Sequence, residues 1–271
     1  MRELEVGALH VYDTGEPDRL PVFYHHGTPN IGTPPQPLFG DADRLGIRFV
    51  GYDRPGYGGS APDPGRTVAS AAAHTSRIAD ALGIDRFAVL GHSGGGPHAL
   101  ACATLLGDRV LAAASISGLA PYGAEGLDWF AGMASPLALR AAARGRAEKQ
   151  AYEAAPTETD PGFIDADWAA LEGTWGWFGT VVAPAVAAGP AAAIDDDLAY
   201  VEAWGFHPAD CKVPVLLAHG GRDACVPCPH SVWLAAHIPG AELRISPGDG
   251  HISILRSAAQ DLEWLHAHSA R

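Results

Sequence analysis

The sequence predicts an α/β fold. A mostly parallel sheet of eight strands is covered by helices on both faces, and one helical insertion interrupts the series. Three observations predict this. Short apolar runs rich in β-branched and aromatic residues alternate with longer Ala-rich segments of helical character. A Gly-x-Ser-x-Gly at 91–95 falls between one such run and a small-residue stretch. The alternation stops between about residues 121 and 210 and then resumes.

The elements follow in order. Residues 4–6 and 8–12 alternate apolar and polar, which suits an antiparallel strand pair at a sheet edge. Residues 21–25 (Pro-Val-Phe-Tyr-His) read as a buried strand, and 36–45 as a helix with a Pro-rich start. Residues 48–53 are the next strand. Residues 67–82 are Ala-rich and stop at Gly83, a normal helix end. A strand over 86–91 precedes the serine motif, and a helix over 95–106 follows it and stops at Gly107. Strands are predicted over 110–117, 213–219 and 241–246, and helices over 230–237 and 253–268.

The stretch 121–210 contains no convincing buried strand. It holds helical segments such as 137–152 and most of the tryptophans: Trp129, Trp168, Trp175, Trp177 and Trp204. The chain therefore divides into a first core part (1–120), a helical cap (121–210) and a second core part (211–271). The cap is expected as a lid over the carboxyl edge of the sheet, where ligands bind in open α/β folds.

Composition excludes several classes. The 271 residues suffice for one large domain with an insertion. A net charge of −13 argues against nucleic acid or an anionic membrane as partner. No run of 18 apolar residues exists, and the first residues lack a signal-peptide core, so a cytoplasmic protein is expected. A monomer and a homodimer both remain open. Of the four cysteines, Cys102 lies in an apolar helical segment and reads as a small core residue. Cys225 and Cys228 form a C-x-x-C, but no second pair stands at ligand spacing, so a metal is not expected.

The chemistry centres on Ser93. Strand, sharp turn and helix are the context of a nucleophile elbow, and Gly91, Gly94 and Gly95 keep the turn free of Cβ atoms. A serine hydroxyl needs a base, and the base needs an orienting carboxylate. The chain order nucleophile, acid, histidine points to Asp223, after the strand at 213–219, and to His251, in the Gly-rich loop after 241–246. Asp249 is the rival acid and is read as shaping the His251 loop. An oxyanion needs two N–H donors. Gly94 supplies one, and Thr28, in the loop His25-His26-Gly27-Thr28-Pro29-Asn30, is the candidate for the other. His26 as a base is the weaker reading. Trp175, Trp177, Phe178 and Trp204, with Phe206, are candidates to shape an apolar substrate pocket, although several could equally form the cap's own core.

With these motifs in place, the chain resembles the α/β-hydrolase superfamily. The matching pieces are His26-Gly27-Thr28-Pro29, Asp53-Arg54-Pro55-Gly56-Tyr57-Gly58-Gly59-Ser60, Gly91-His92-Ser93-Gly94-Gly95, His219-Gly220-Gly221-Arg222-Asp223 and Gly250-His251. They occur in the family's order and cover the chain outside the insertion, which corresponds to the family's cap. The His-Gly-x-Pro loop is similar to that of epoxide hydrolases and dehalogenases, which attack with an aspartate. Ser93 stands at that position here, so alkyl-enzyme chemistry is rejected. The segment 53–60 is read as structural.

The expectation is a serine hydrolase of the carboxylesterase or lactonase type, acting without cofactor on a small to medium, largely apolar ester or lactone. Three alternatives stay open. An iminopeptidase-like aminopeptidase would use Asp195, Asp196, Asp197 and Glu202 to hold a substrate ammonium group. A biosynthetic thioesterase or cyclase would use the aromatic cap for a bulky substrate. A hydrolase fold that only binds ligand would have lost the chemistry.

Overall fold

The computed structural model describes residues 1–155 and 160–270. Eight strands form one sheet: β1 (Arg2–Val6), β2 (Leu9–Asp13), β3 (Leu20–His25), β4 (Ile47–Tyr52), β5 (Phe87–His92), β6 (Val110–Ile116), β7 (Val215–Gly220) and β8 (Glu242–Ser246). Their spatial order is β1-β2-β4-β3-β5-β6-β7-β8. β1 and β2 pair antiparallel, as does β2 with β4, and every other pairing is parallel. β4, β5 and β7 are buried along their whole length, because a parallel strand has helices over both faces.

Alternate side chains feed two cores. Phe23 and Val89 face α2 (Ser70–Ala81), α3 (Gly95–Leu105) and α9 (Pro229–His237) through Ile78, Leu100 and Leu234. Their neighbours Val22, Tyr24, Ala88 and Leu90 face α1 (Phe39–Arg44) and α10 (Ala258–Ser269) through Ala42, Leu262 and Leu265.

Between β6 and β7 the described residues form five α-helices: α4 (Leu137–Ala142), α5 (Arg146–Ala154), α6 (Asp165–Glu172), α7 (Phe178–Ala187) and α8 (Ala191–Val201). No strand occurs there among the described residues, and 156–159 lie outside them. Two helix expectations are corrected. Residues 137–152 are two helices, because Gly145 adopts a left-handed φ of +107° that breaks the run. Residues 253–268 begin with a 3-10 turn, Ser253–Ser257, before α10 starts. Among the described residues no single helix is long and apolar enough to cross a membrane.

The loops after β3, β5, β7 and β8 leave parallel strands at the same sheet edge. Thr28, Ser93, Asp223 and His251 stand on these loops.

Candidate active site

Ser93 occupies the turn between β5 and α3 with φ +55°, in the left-handed region. Its amide donates to the Ile116 carbonyl at 2.8 Å, which ties the turn to β6. The turn is so tight that a Cβ at Gly91 would fall 2.2 Å from the Gly95 carbonyl oxygen, and one at Gly95 would fall 1.9 Å from that of His25. The strained serine is therefore held within closely packed backbone, and its hydroxyl is left facing His251.

The three distant side chains meet. His251 Nε2 lies 2.9 Å from Ser93 Oγ, and His251 Nδ1 lies 2.7 Å from Asp223 Oδ2. Asp223 Oδ1 accepts the amides of Cys225 at 2.9 Å and Val226 at 2.8 Å, which fixes the carboxylate. Burial disfavours a charged imidazole, but the Asp223 carboxylate outweighs it and holds His251 well above the ordinary histidine pKa. Burial likewise opposes the charge on Asp223, yet His251 and His219 hold it far below the usual carboxylate range. Asp249 is turned elsewhere: it accepts from Ser246 Oγ at 2.6 Å and pairs with Arg256. Sequence reasoning assigned nothing to His92. It is buried, its ring centroid is 5.1 Å from that of His251, and its Nε2 donates to the His251 carbonyl at 3.1 Å. Burial, with His251 nearby, drops His92 to about 3, so it stays neutral.

Thr28 and Gly94 are neighbours. A Cβ at Gly94 would fall 2.8 Å from Thr28 Oγ1, and one at Gly27 would fall 3.4 Å from Ser93 Cβ. The Thr28 loop is braced by charge. Arg54 donates to the carbonyls of His26 and Gly27, and it reaches Asp196 of α8 through Nε at 3.0 Å and Nη2 at 2.6 Å. Arg66 pairs with the same carboxylate at 2.8 Å, Tyr57 donates to it at 3.0 Å, and Thr28 Oγ1 donates to it at 2.5 Å. Tyr200 of α8 donates to the Gly94 carbonyl at 3.0 Å. His26 accepts the Arg54 amide through Nε2 at 3.0 Å and donates from Nδ1 to Gly27 O, so it shapes the loop and does not face Ser93. Burial, with the adjacent Arg54 charge, holds it well below the ordinary histidine value.

Ser93 and His251 open onto a cavity of about 430 Å³. Its walls include Thr28, Pro29 and Asn30 on one side, and on the other Phe163, from the segment just before α6, with Leu171, Phe178 and Val182 from the inserted helices. Phe178 is the one predicted aromatic that lines it. Trp175, Trp177 and Trp204 do not, and this corrects the expectation. Trp175 and Trp177 pack into the core beneath the inserted helices, and Trp204 packs against Phe206 and donates to the Tyr200 carbonyl at 3.3 Å. Large aromatics bury most area when they are fully enclosed, so Trp175 and Trp177 join the sheet core that faces α1 and α10, and Trp204 joins a cluster with Trp129, Ile194 and Leu198. Phe163, Leu171, Gly179 and Val182 carried no motif by which the sequence could mark them. Asn30 and Cys225 stood beside marked residues and were legible by proximity. Among the described residues no group of three or more His, Cys, Asp or Glu side chains is arranged to hold a metal ion.

Residues 21–258 match the family described as alpha/beta hydrolase fold. The chain belongs to the α/β-hydrolase family. Membership implies a hydrolase. No curated protein matches the sequence significantly. Solved structures share the fold at low identity. A thermophilic esterase from Thermogutta terrifontis, with malate bound, is 21% identical with a TM-score of 0.70, covering 99% of this chain and 100% of its own. The enol-lactonase from Burkholderia xenovorans LB400 is 20% identical with a TM-score of 0.73, covering 100% of both chains. A bromoperoxidase from Bacillus anthracis is 21% identical with a TM-score of 0.66, covering 96% of this chain and 93% of its own.

Proposed function

We propose that the chain is a serine hydrolase that cleaves a neutral, largely apolar carboxylic ester or lactone through an acyl-enzyme. The observation that carries this reading is the relay Ser93–His251–Asp223, with steps of 2.9 and 2.7 Å, opening onto an apolar cavity. Neutral His251 takes the Ser93 proton on Nε2 while its Nδ1–H donates to Asp223. Ser93 Oγ attacks the carbonyl carbon, and the carbonyl π pair moves onto oxygen, where the Thr28 and Gly94 amides receive it. Collapse breaks the bond to the alkoxy oxygen, which leaves with the proton from His251. Water then gives a proton to His251 and attacks the acyl carbon. A second collapse releases the acid and returns the proton to Ser93.

The cavity wall favours uncharged substrates. Among the described residues no Lys, Arg, Asp or Glu lines it, and Asn30 is the one side-chain amide there. Of the four acids that an aminopeptidase would use, three are already paired, and Glu202 is not among the residues that line the cavity. Asp195 binds Arg146, Asp196 binds Arg54 and Arg66, and Asp197 lies 2.6 Å from Lys149.

The test is a panel of neutral esters and lactones against aminoacyl anilides, with Ser93→Ala as control. We expect turnover of the esters or lactones and a loss of about 10⁴–10⁶ in kcat for Ser93→Ala. Turnover that survives the substitution, or a preference for the anilides, would overturn the reading.

A further inference from the structure

We propose that Asp167 is a positioning residue for the His251 loop, through which the inserted helices set where the imidazole stands. This rests on the reading above that His251 is the base. Asp167 belongs to the first turn of α6, 84 positions from His251, and is completely buried. Its two oxygens do different work. Oδ2 caps its own helix by accepting the Ile164 amide at 3.0 Å, and it also receives the His251 amide at 3.3 Å. Oδ1 receives the amides of Ile252 at 2.9 Å and Ser253 at 2.7 Å, and the Ser253 hydroxyl at 2.8 Å. One carboxylate thus caps α6 and the 3-10 turn that begins directly behind the histidine.

First-turn amides have no partner within their own helix, so an outside acceptor decides their orientation. Here that acceptor comes from another part of the chain. Ser253 Oγ in turn accepts the Gly250 amide at 2.8 Å, which closes the loop on the other side of His251. The fit is tight: a Cβ at Gly250 would fall 2.1 Å from Asp167 Oδ2. Asp167 does not line the cavity, so it touches neither substrate nor the reacting atoms. Its effect must pass through the backbone that carries His251.

The experiment measures ester kinetics together with the rate and end point of fluorophosphonate labelling in the full-length protein. Asp167→Ala is expected to lower kcat and the labelling rate constant by about 10²-fold, the usual cost of misplacing a catalytic group by about 1 Å. KM and the labelled fraction at long times should remain near wild type. Asp167→Asn keeps one acceptor oxygen but turns an N–H₂ toward the Ile164 and His251 amides, so a smaller loss is expected. Gly250→Ala pushes the carboxylate from the opposite side while removing no functional side chain, and should reproduce the slow labelling. If Asp167→Ala does not fold, Asp167→Asn and Gly250→Ala decide the matter. Asp165→Ala, an exposed change in the same turn, should label at the wild-type rate. The proposal is overturned if the Asp167 and Gly250 variants label at the wild-type rate, or if only the labelled fraction falls, as for a purely structural defect. A wild-type protein that is never labelled would instead overturn the Ser93 reading, and this proposal with it.

Discussion

The imidazole of His251 is pulled in two directions. Its buried position opposes a positive charge, while Asp223 at 2.7 Å favours one, and the carboxylate prevails. The base works only when neutral, so activity should rise with pH as His251 loses its proton. We expect the acid limb of kcat/KM to have its midpoint above the ordinary histidine value of 6.5. Asp223→Asn removes the charge that raises the pKa. Its acid limb should move to lower pH, with kcat down by about 10⁴-fold because the tautomer and orientation are lost. A pH–rate profile of both proteins checks the sign. A limb that stays in place after the substitution would contradict the coupling. The other histidines of the elbow region, His25, His26 and His92, are buried and held low, so they do not titrate in this range.

At the scale of the element, α7 is the wall that sets cavity size. Phe178, Gly179 and Val182 line the cavity from this helix, and the Ile31 amide ties it to the Thr28 loop through the Val181 carbonyl at 3.0 Å. Gly179 lies in the first turn of α7, and a Cβ there would meet nothing within 4 Å. Gly179→Ala should therefore stabilise the fold by about 0.5–1 kcal/mol, the helical advantage of Ala over Gly. The added methyl group occupies cavity space, so turnover of the bulkiest esters should fall relative to small ones. Thermal melts and a chain-length series of esters read the two effects separately. The strands and the serine turn were legible in the sequence because each rests on local chemistry, such as apolar runs, glycine punctuation and a short motif. The cavity wall was not. Phe163 and Val182 have their roles only because the folding of the inserted segment brings them over Ser93, and nothing within a few residues of either reports that.

For the whole molecule, stability should depend on pH through a carboxyl far from the site. Asp261 of α10 is buried, its Oδ2 has no hydrogen-bond partner among the described residues, and Arg244 lies 3.7 Å from Oδ1. Burial pushes its carboxyl up to about 7, and Arg244 offsets this only in part. The folded protein keeps a proton that the unfolded chain releases at about pH 4, so stability from this group falls as pH climbs from about 4 to 7. Asp261→Asn should raise the melting temperature at pH 8 by roughly 2–4 °C and change it little at pH 4. Melting curves at the two pH values test this, and equal shifts at both would contradict it. Sequence alone could not single out this aspartate. It reads as an ordinary helical acid until the packing of α10 encloses it, just as Asp167 reads as a helix-start residue until β8 delivers the His251 loop.

The carboxylates of Asp167 and Asp196 have a consequence for engineering. One grips amides of the chain's last third, and the other neutralises two guanidinium groups of its first third. The segment that carries both is therefore not an exchangeable module. Grafting a foreign one onto this sheet would strand Arg54 and Arg66 as uncompensated buried cations, unless the transplant brought acids to the same two places.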